Sequence, residues 1–196
     1  TYTLDNGIVK AEISKRSGNM MSMIYKGVEM MGNGPGRASG IWEEDPSAAA
    51  SVNGLTDTVT IDPTKNDGER GEISVKGVTG GKVPLSLDSP GSANGTSNID
   101  LEIRYALGRG DSGIYTYAIF SHPAAYGAAS IGESRFIIEI NRDFNWISVD
   151  KDRNMLECAP TDWGTGVVIH AKEQRIMSQG VYKNSVEQKY SYTAIQ

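Results

Sequence analysis

The chain holds 196 residues at a formal net charge of −5, with 38% hydrophobic and 22% charged residues, 23 glycines and one cysteine. That length suits one domain with a substantial core, and the acidic balance excludes the basic face that a general nucleic-acid binder shows. The lone Cys158 excludes an intramolecular disulfide framework and a multi-cysteine zinc site, and no apolar stretch approaches the ~20 residues that span a bilayer.

Strand signals dominate from the start. Tyr2, Thr3 and Leu4 lead into a turn at Asp5-Asn6-Gly7, and residues 8–13 then alternate toward a second break at Ser17-Gly18-Asn19. Asn and Gly tolerate positive φ, so their pairing between apolar runs predicts hairpins. Residues 20–25 and a return after Lys26-Gly27 read as a further short pair. Residues 32–40 collapse to Gly, Pro, Asn and Ser, a loop, and Ala48 to Ala50 have room for one helical turn. Alternation resumes over residues 56–61, 71–78 and 99–107, with a Ser- and Gly-rich surface loop at 86–98 between the last two. Residues 113–120, 134–140, 145–149, 166–170 and 186–193 are strand-like and rich in β-branched or aromatic side chains. No segment sustains a 3.6-residue apolar period over three turns, so no long helix is expected. Many short strands with tight turns predict an all-β sandwich or barrel.

Several segments, in order, resemble the N-terminal domain of rhamnogalacturonan lyases of polysaccharide lyase family 4. They are residues 4–9 (LDNGIV), 24–29 (IYKGVE), 113–122 (GIYTYAIFSH), 134–136 (SRF), 144–149 (FNWISV) and 182–192 (YKNSVEQKYSY). The run at 113–122 is the most specific, and the stretch from about Pro46 to Ser97 matches poorly. The resemblance implies an antiparallel β-sandwich of the galactose-mutarotase-like kind, spanning residues 1–196 as the N-terminal part of a longer, secreted multidomain lyase. It also implies an activity: β-elimination at the rhamnose-α-1,4-galacturonate bond of rhamnogalacturonan I, an acidic pectic polysaccharide of the cell wall.

Elimination at a uronic acid needs its carboxylate neutralised, a base for the C5 proton, and help for the departing O4. The resemblance puts the base at Lys189, in the run Lys189-Tyr190-Ser191-Tyr192. On a strand, Lys189, Ser191 and Thr193 share one face and the two tyrosines the other. Arg135 is the candidate clamp, since a guanidinium holds a carboxylate through two parallel hydrogen bonds. On that segment Phe136, Ile138 and Ile140 form an apolar row read as core, with Arg135, Ile137 and Glu139 opposite. Family members often carry a second basic residue where Glu139 stands. Arg142 is the nearest replacement, on the other face of a regular strand.

Tyr115 and Tyr117 share a strand face and are candidate substrate contacts, because aromatic rings stack on the C–H faces of sugars. His122, at the end of that strand, is a third. Trp42, Trp146 and Trp163 offer further rings, with core packing the competing role. His170 reads as a strand-end residue without chemistry. The family's proposed acid, a His downstream of the catalytic Lys, has its place beyond Gln196. Neither Glu43-Glu44-Asp45 nor Asp150-Lys151-Asp152 has the spacing of a calcium loop, so no metal and no cofactor are expected. The partner expected is an acidic polysaccharide, with no nucleic acid and no membrane. The alternatives are a pectin-binding module of the same fold that does not cut, and an enzyme of that fold acting on neutral sugars.

Overall fold

The structure, a computed structural model, describes residues 1–32, 40–42, 53–81, 99–128, 134–141, 143–148, 151, 154–156, 158–170 and 174–188. The chain divides into two compact units, Thr1–Asn141 and Arg142–Gln196. The expected helical turn at Ala48 to Ala50 and the loop at 86–98 lie outside the described residues.

In the first unit, β1 (Tyr2–Asp5) pairs antiparallel with β2 (Val9–Ile13). The turn between them is made by its own side chains. Asp5 Oδ1 accepts from the Gly7 amide at 2.8 Å, and Asn6 Oδ1 accepts from the amides of Ile8 and Val9, while Gly7 takes a φ of 83° that a side chain would resist. β3 (Met20–Tyr25) follows, then β4 (Val28–Glu29) across a two-residue turn in which Lys26 and Gly27 both have positive φ. This is the primed turn that suits the twist of a hairpin. β5 (Gly40–Trp42) and β10 (Phe136–Ile138) complete this sheet in the order β1-β2-β3-β5-β10, with β4 on β3. The second sheet is a meander of β6 (Leu55–Ile61), β7 (Arg70–Gly77), β8 (Asp100–Gly108) and β9 (Tyr115–Ser121), every neighbour antiparallel.

The two sheets share one core. Leu4, Val9, Ala11, Ile13, Met20 and Met31 from the first meet Ile73, Leu101, Ile103, Tyr105 and Leu107 from the second. Strand alternation accounts for this set: Ile73 and Val75 on β7, and Leu101, Ile103, Tyr105 and Leu107 on β8, all lie at every second position. Tyr105 is fully buried, its ring edge-on to Phe136 at 6.5 Å. Burial pushes its phenol pKa well up, so it stays neutral. The all-β antiparallel sandwich expected from the sequence is the fold observed.

Gly40 marks a close approach in this core. A β-carbon there would stand 2.9 Å from Met20 Cβ, 3.0 Å from Phe136 Cζ and 3.1 Å from Met31 Cε. Gly40→Ala is therefore expected to cost about 1–3 kcal/mol through overpacking, read as a lowered midpoint in thermal unfolding.

The second unit carries β11 (Trp146–Ser148) paired with β12 (Asn154–Leu156), a short helix α1 (Pro160–Thr165), and a three-stranded sheet of β13 (Val167–His170), β14 (Gln174–Ile176) and β15 (Val186–Gln188). Arg175 secures the end of α1. Its Nη1 donates to the Trp163 carbonyl at 2.8 Å, and its guanidinium lies over the Trp163 ring at 5.1 Å. The helix was not expected from the sequence. At six residues it is too short to show a helical period, and its start signals are only Pro160 and the acidic Asp162 in the first turn, with no side-chain cap. No helix among the described residues is long and apolar enough to cross a membrane.

Candidate functional site

Because Thr116, Ala118 and Phe120 turn toward the core, Tyr115, Tyr117 and Ile119 occupy the opposite face of β9. Tyr115 is 58% exposed and Tyr117 37%, so these rings are presented to solvent rather than packed. Register sets their neighbours. Tyr117 stands across from Arg104, and Arg104 across from Ser74; Tyr115 stands across from Ala106, and Ala106 across from Glu72. The face of the four-stranded sheet that looks away from the core is thus polar, and its charges are organised.

Glu72 is the hub, with only 4% of its side chain exposed. Its Oε1 accepts from the Thr60 hydroxyl at 2.9 Å and from Arg104 Nη1 at 3.2 Å. Its Oε2 accepts from the Tyr117 hydroxyl at 3.1 Å and faces Arg70 Nη2 at 3.5 Å. Arg104 also donates from Nε to Glu102 Oε1 at 2.6 Å, and Ser74 donates to that same oxygen at 2.7 Å. Burial pushes the Glu72 carboxyl up, but the bonds from Thr60, Tyr117 and Arg104 outweigh it, leaving its pKa below the usual range. The same balance, led by burial against the bond from Arg104, lowers Glu102. The bond to Glu102 above all raises the guanidinium further, so Arg104 is a permanent cation.

His122 follows the end of β9 on the same sheet. Its Nε2–H donates to the Gly127 carbonyl at 2.9 Å, and its ring meets Tyr126 edge-on at 6.2 Å. Tyr126 in turn donates to the buried Asp100, which also accepts from the Thr79 amide at 2.8 Å. The histidine is exposed, with one ring nitrogen committed to the loop it closes.

Arg135 precedes β10 on the other sheet, half-buried. The Phe136 ring turns into the core against Trp42, 5.5 Å away, so alternation directs Arg135 and Ile137 away from it. The regular strand is shorter than the expected 134–140, because only Phe136 of the apolar row finds the core. Ile138 and Ile140 are exposed, and β10 is followed by a single bridge between Met31 and Ile140. Glu139 is exposed, and its carbonyl accepts from the Gly32 amide. The structure therefore brings Tyr115, Tyr117 and His122 onto one sheet and places Arg135 on the other. Lys189 and Arg142 lie outside the described residues, as do Ser191 and Thr193.

Of the three tryptophans, Trp42 packs in the core with its Nε1 donating to Thr116 at 3.0 Å. Trp163 lies beneath Arg175, and Trp146 is exposed. Among the described residues no group of three His, Cys, Asp or Glu side chains is placed to hold a metal ion.

The model of the rhamnogalacturonate lyase family matches residues 1–165. The chain belongs to the rhamnogalacturonate lyase family. The span matched to this lyase family takes in Tyr115, Tyr117, His122 and Arg135 and stops short of Lys189. No curated protein and no solved structure matches the chain. For a rhamnogalacturonate lyase family member, the sequence reading missed Arg104 and Glu72. Their signal was present: Glu72, Ser74 and Lys76, then Glu102 and Arg104, occupy positions that alternate with apolar residues on β7 and β8. Which charge met which required the register.

Proposed function

We propose that the chain is a secreted rhamnogalacturonan lyase, cutting the rhamnose-α-1,4-galacturonate bond of rhamnogalacturonan I by β-elimination. Arg135 holds the galacturonate carboxylate, which makes the C5 proton removable. The Lys189 amine takes that proton, the C5–H electron pair becomes the C4–C5 double bond, and O4 departs with the rhamnose side and gains a proton. Tyr115, Tyr117 and His122 contact the polysaccharide. Lys189 acts only when neutral, a state that partial burial or a nearby cation favours by lowering a lysine's pKa.

The observation that carries this reading is the family match over residues 1–165, which contains Arg135 and implies a polysaccharide substrate of the pectin type. Glu139, standing where relatives often have a basic residue, favours the second reading, a module that binds pectic sugars without cutting them. Mass spectrometry of rhamnogalacturonan I digested with the chain separates the two. Elimination yields unsaturated ends, each one water lighter than a hydrolysis product. Bound polymer recovered intact would support the binding module.

A further inference from the structure

The face of the β6–β9 sheet that looks away from the core combines three features. The first is a pair of exposed rings on one strand, Tyr115 and Tyr117, about 7 Å apart at strand spacing. Ala106, between Glu72 and Tyr115 in the same cross-strand row, is fully buried, so the accessible part of this face is the tyrosine pair and the outer edge of Arg104.

The second is Arg104. It stays 28% exposed although its Nε and Nη1 are both held by carboxylates. Its Nη2 makes no hydrogen bond among the described residues. A guanidinium fixed in this way loses little further freedom when it binds an anion. The third is charge. Arg70, Arg104 and Lys76 balance Glu72, Glu102 and the buried Asp100 on this face, in a chain whose net charge is −5. Lys76 stands across from Glu102, one row from Arg104.

We propose that this face is a saccharide-binding platform, in which Arg104 anchors the carboxylate of an acidic sugar while the adjoining residues of the polysaccharide stack on Tyr115 and Tyr117. The ligand class rests on the lyase reading, and the platform lies on a different sheet from Arg135. Its function is to hold the polymer, and it contains no group that reacts. Glu72 is a positioning residue, fixing both Arg104 and the Tyr117 hydroxyl.

Titration calorimetry of the intact chain with oligosaccharides of rhamnogalacturonan I, and with a neutral galactan oligosaccharide, tests this. Tyr115→Ala is expected to weaken binding of both about tenfold, the size of one lost stacking contact. Tyr115→Phe keeps the ring and is expected to bind as the parent does. Lys76→Ala is expected to weaken only the acidic ligand, by about threefold at low salt, and the difference is expected to fade as salt rises. Thermal unfolding confirms that each variant is folded. Undiminished binding by folded Tyr115→Ala and Lys76→Ala overturns the platform, and the lyase reading then stands if the parent chain still yields unsaturated product. A parent chain that neither binds nor cuts the acidic polymer defeats the lyase reading, and the platform's ligand class with it.

Discussion

Arg104→Met is expected to destabilise the sandwich by about 3 kcal/mol at neutral pH, the order of magnitude for breaking a buried ion pair from one side. The loss arises less from the missing attraction than from Glu72, which is left ionised and 4% exposed with Thr60, Tyr117 and the outlying Arg70 as its remaining partners. In the parent chain the folded-state pKa of Glu72 is lowered. Its contribution to stability is therefore present above the unfolded value of about 4.3 and is lost as pH falls through the folded value. In the variant the lowering effect of Arg104 is gone while burial remains, so the Glu72 carboxyl is expected to take a proton at a higher pH than the parent's does. Denaturant unfolding at pH 7 and pH 4 checks this. The deficit is expected to shrink at pH 4, and an equal deficit at both would show that Arg104 acts through packing alone. Glu72→Gln combined with Arg104→Met is expected to recover part of the loss, because no buried charge is then left unpaired.

Lys189→Ala is expected to slow product formation by about 10²–10⁴-fold, the usual contribution of a positioned base. Lys189→Arg should fare no better, because a guanidinium keeps its proton at any pH the protein survives. For the parent chain the rate is expected to rise with pH over the range in which a lysine base is deprotonated, then level off. Initial rates on rhamnogalacturonan I across that range are the measurement. An alanine variant that retains even a tenth of the activity would assign the base elsewhere.

Much of the fold was legible because alternation is a strong signal wherever one strand face is buried. β7 and β8 were read to within a residue or so, since Ile73 and Val75, then Leu101, Ile103 and Tyr105, repeat at every second position. Where burial is partial the same signal misleads. Phe136, Ile138 and Ile140 have the spacing of a core row, yet only Phe136 is packed, and β10 ends at Ile138. The side of β9 that carries Tyr115 and Tyr117 was readable from period two alone. The Glu72–Arg104 contact was not, because it depends on cross-strand register between residues 32 positions apart, whereas Glu102 and Arg104, two apart on β8, share a face by period two alone. Register is fixed by turns and shared core contacts, which a single strand's pattern does not encode. The separation of Arg135 from the tyrosine pair was hidden for a similar reason. Chain order says that β9 and β10 are successive, but not that the chain changes sheets between them.

The most direct test of the central claim is ultraviolet absorbance at the C4–C5 double bond while the chain acts on rhamnogalacturonan I. A steady rise is expected with the parent chain, and a rise on the order of 10²–10⁴-fold slower with Lys189→Ala. New reducing ends without absorbance would mean hydrolysis and would contradict it, as would a parent chain and a Lys189→Ala variant that generate absorbance at equal rates.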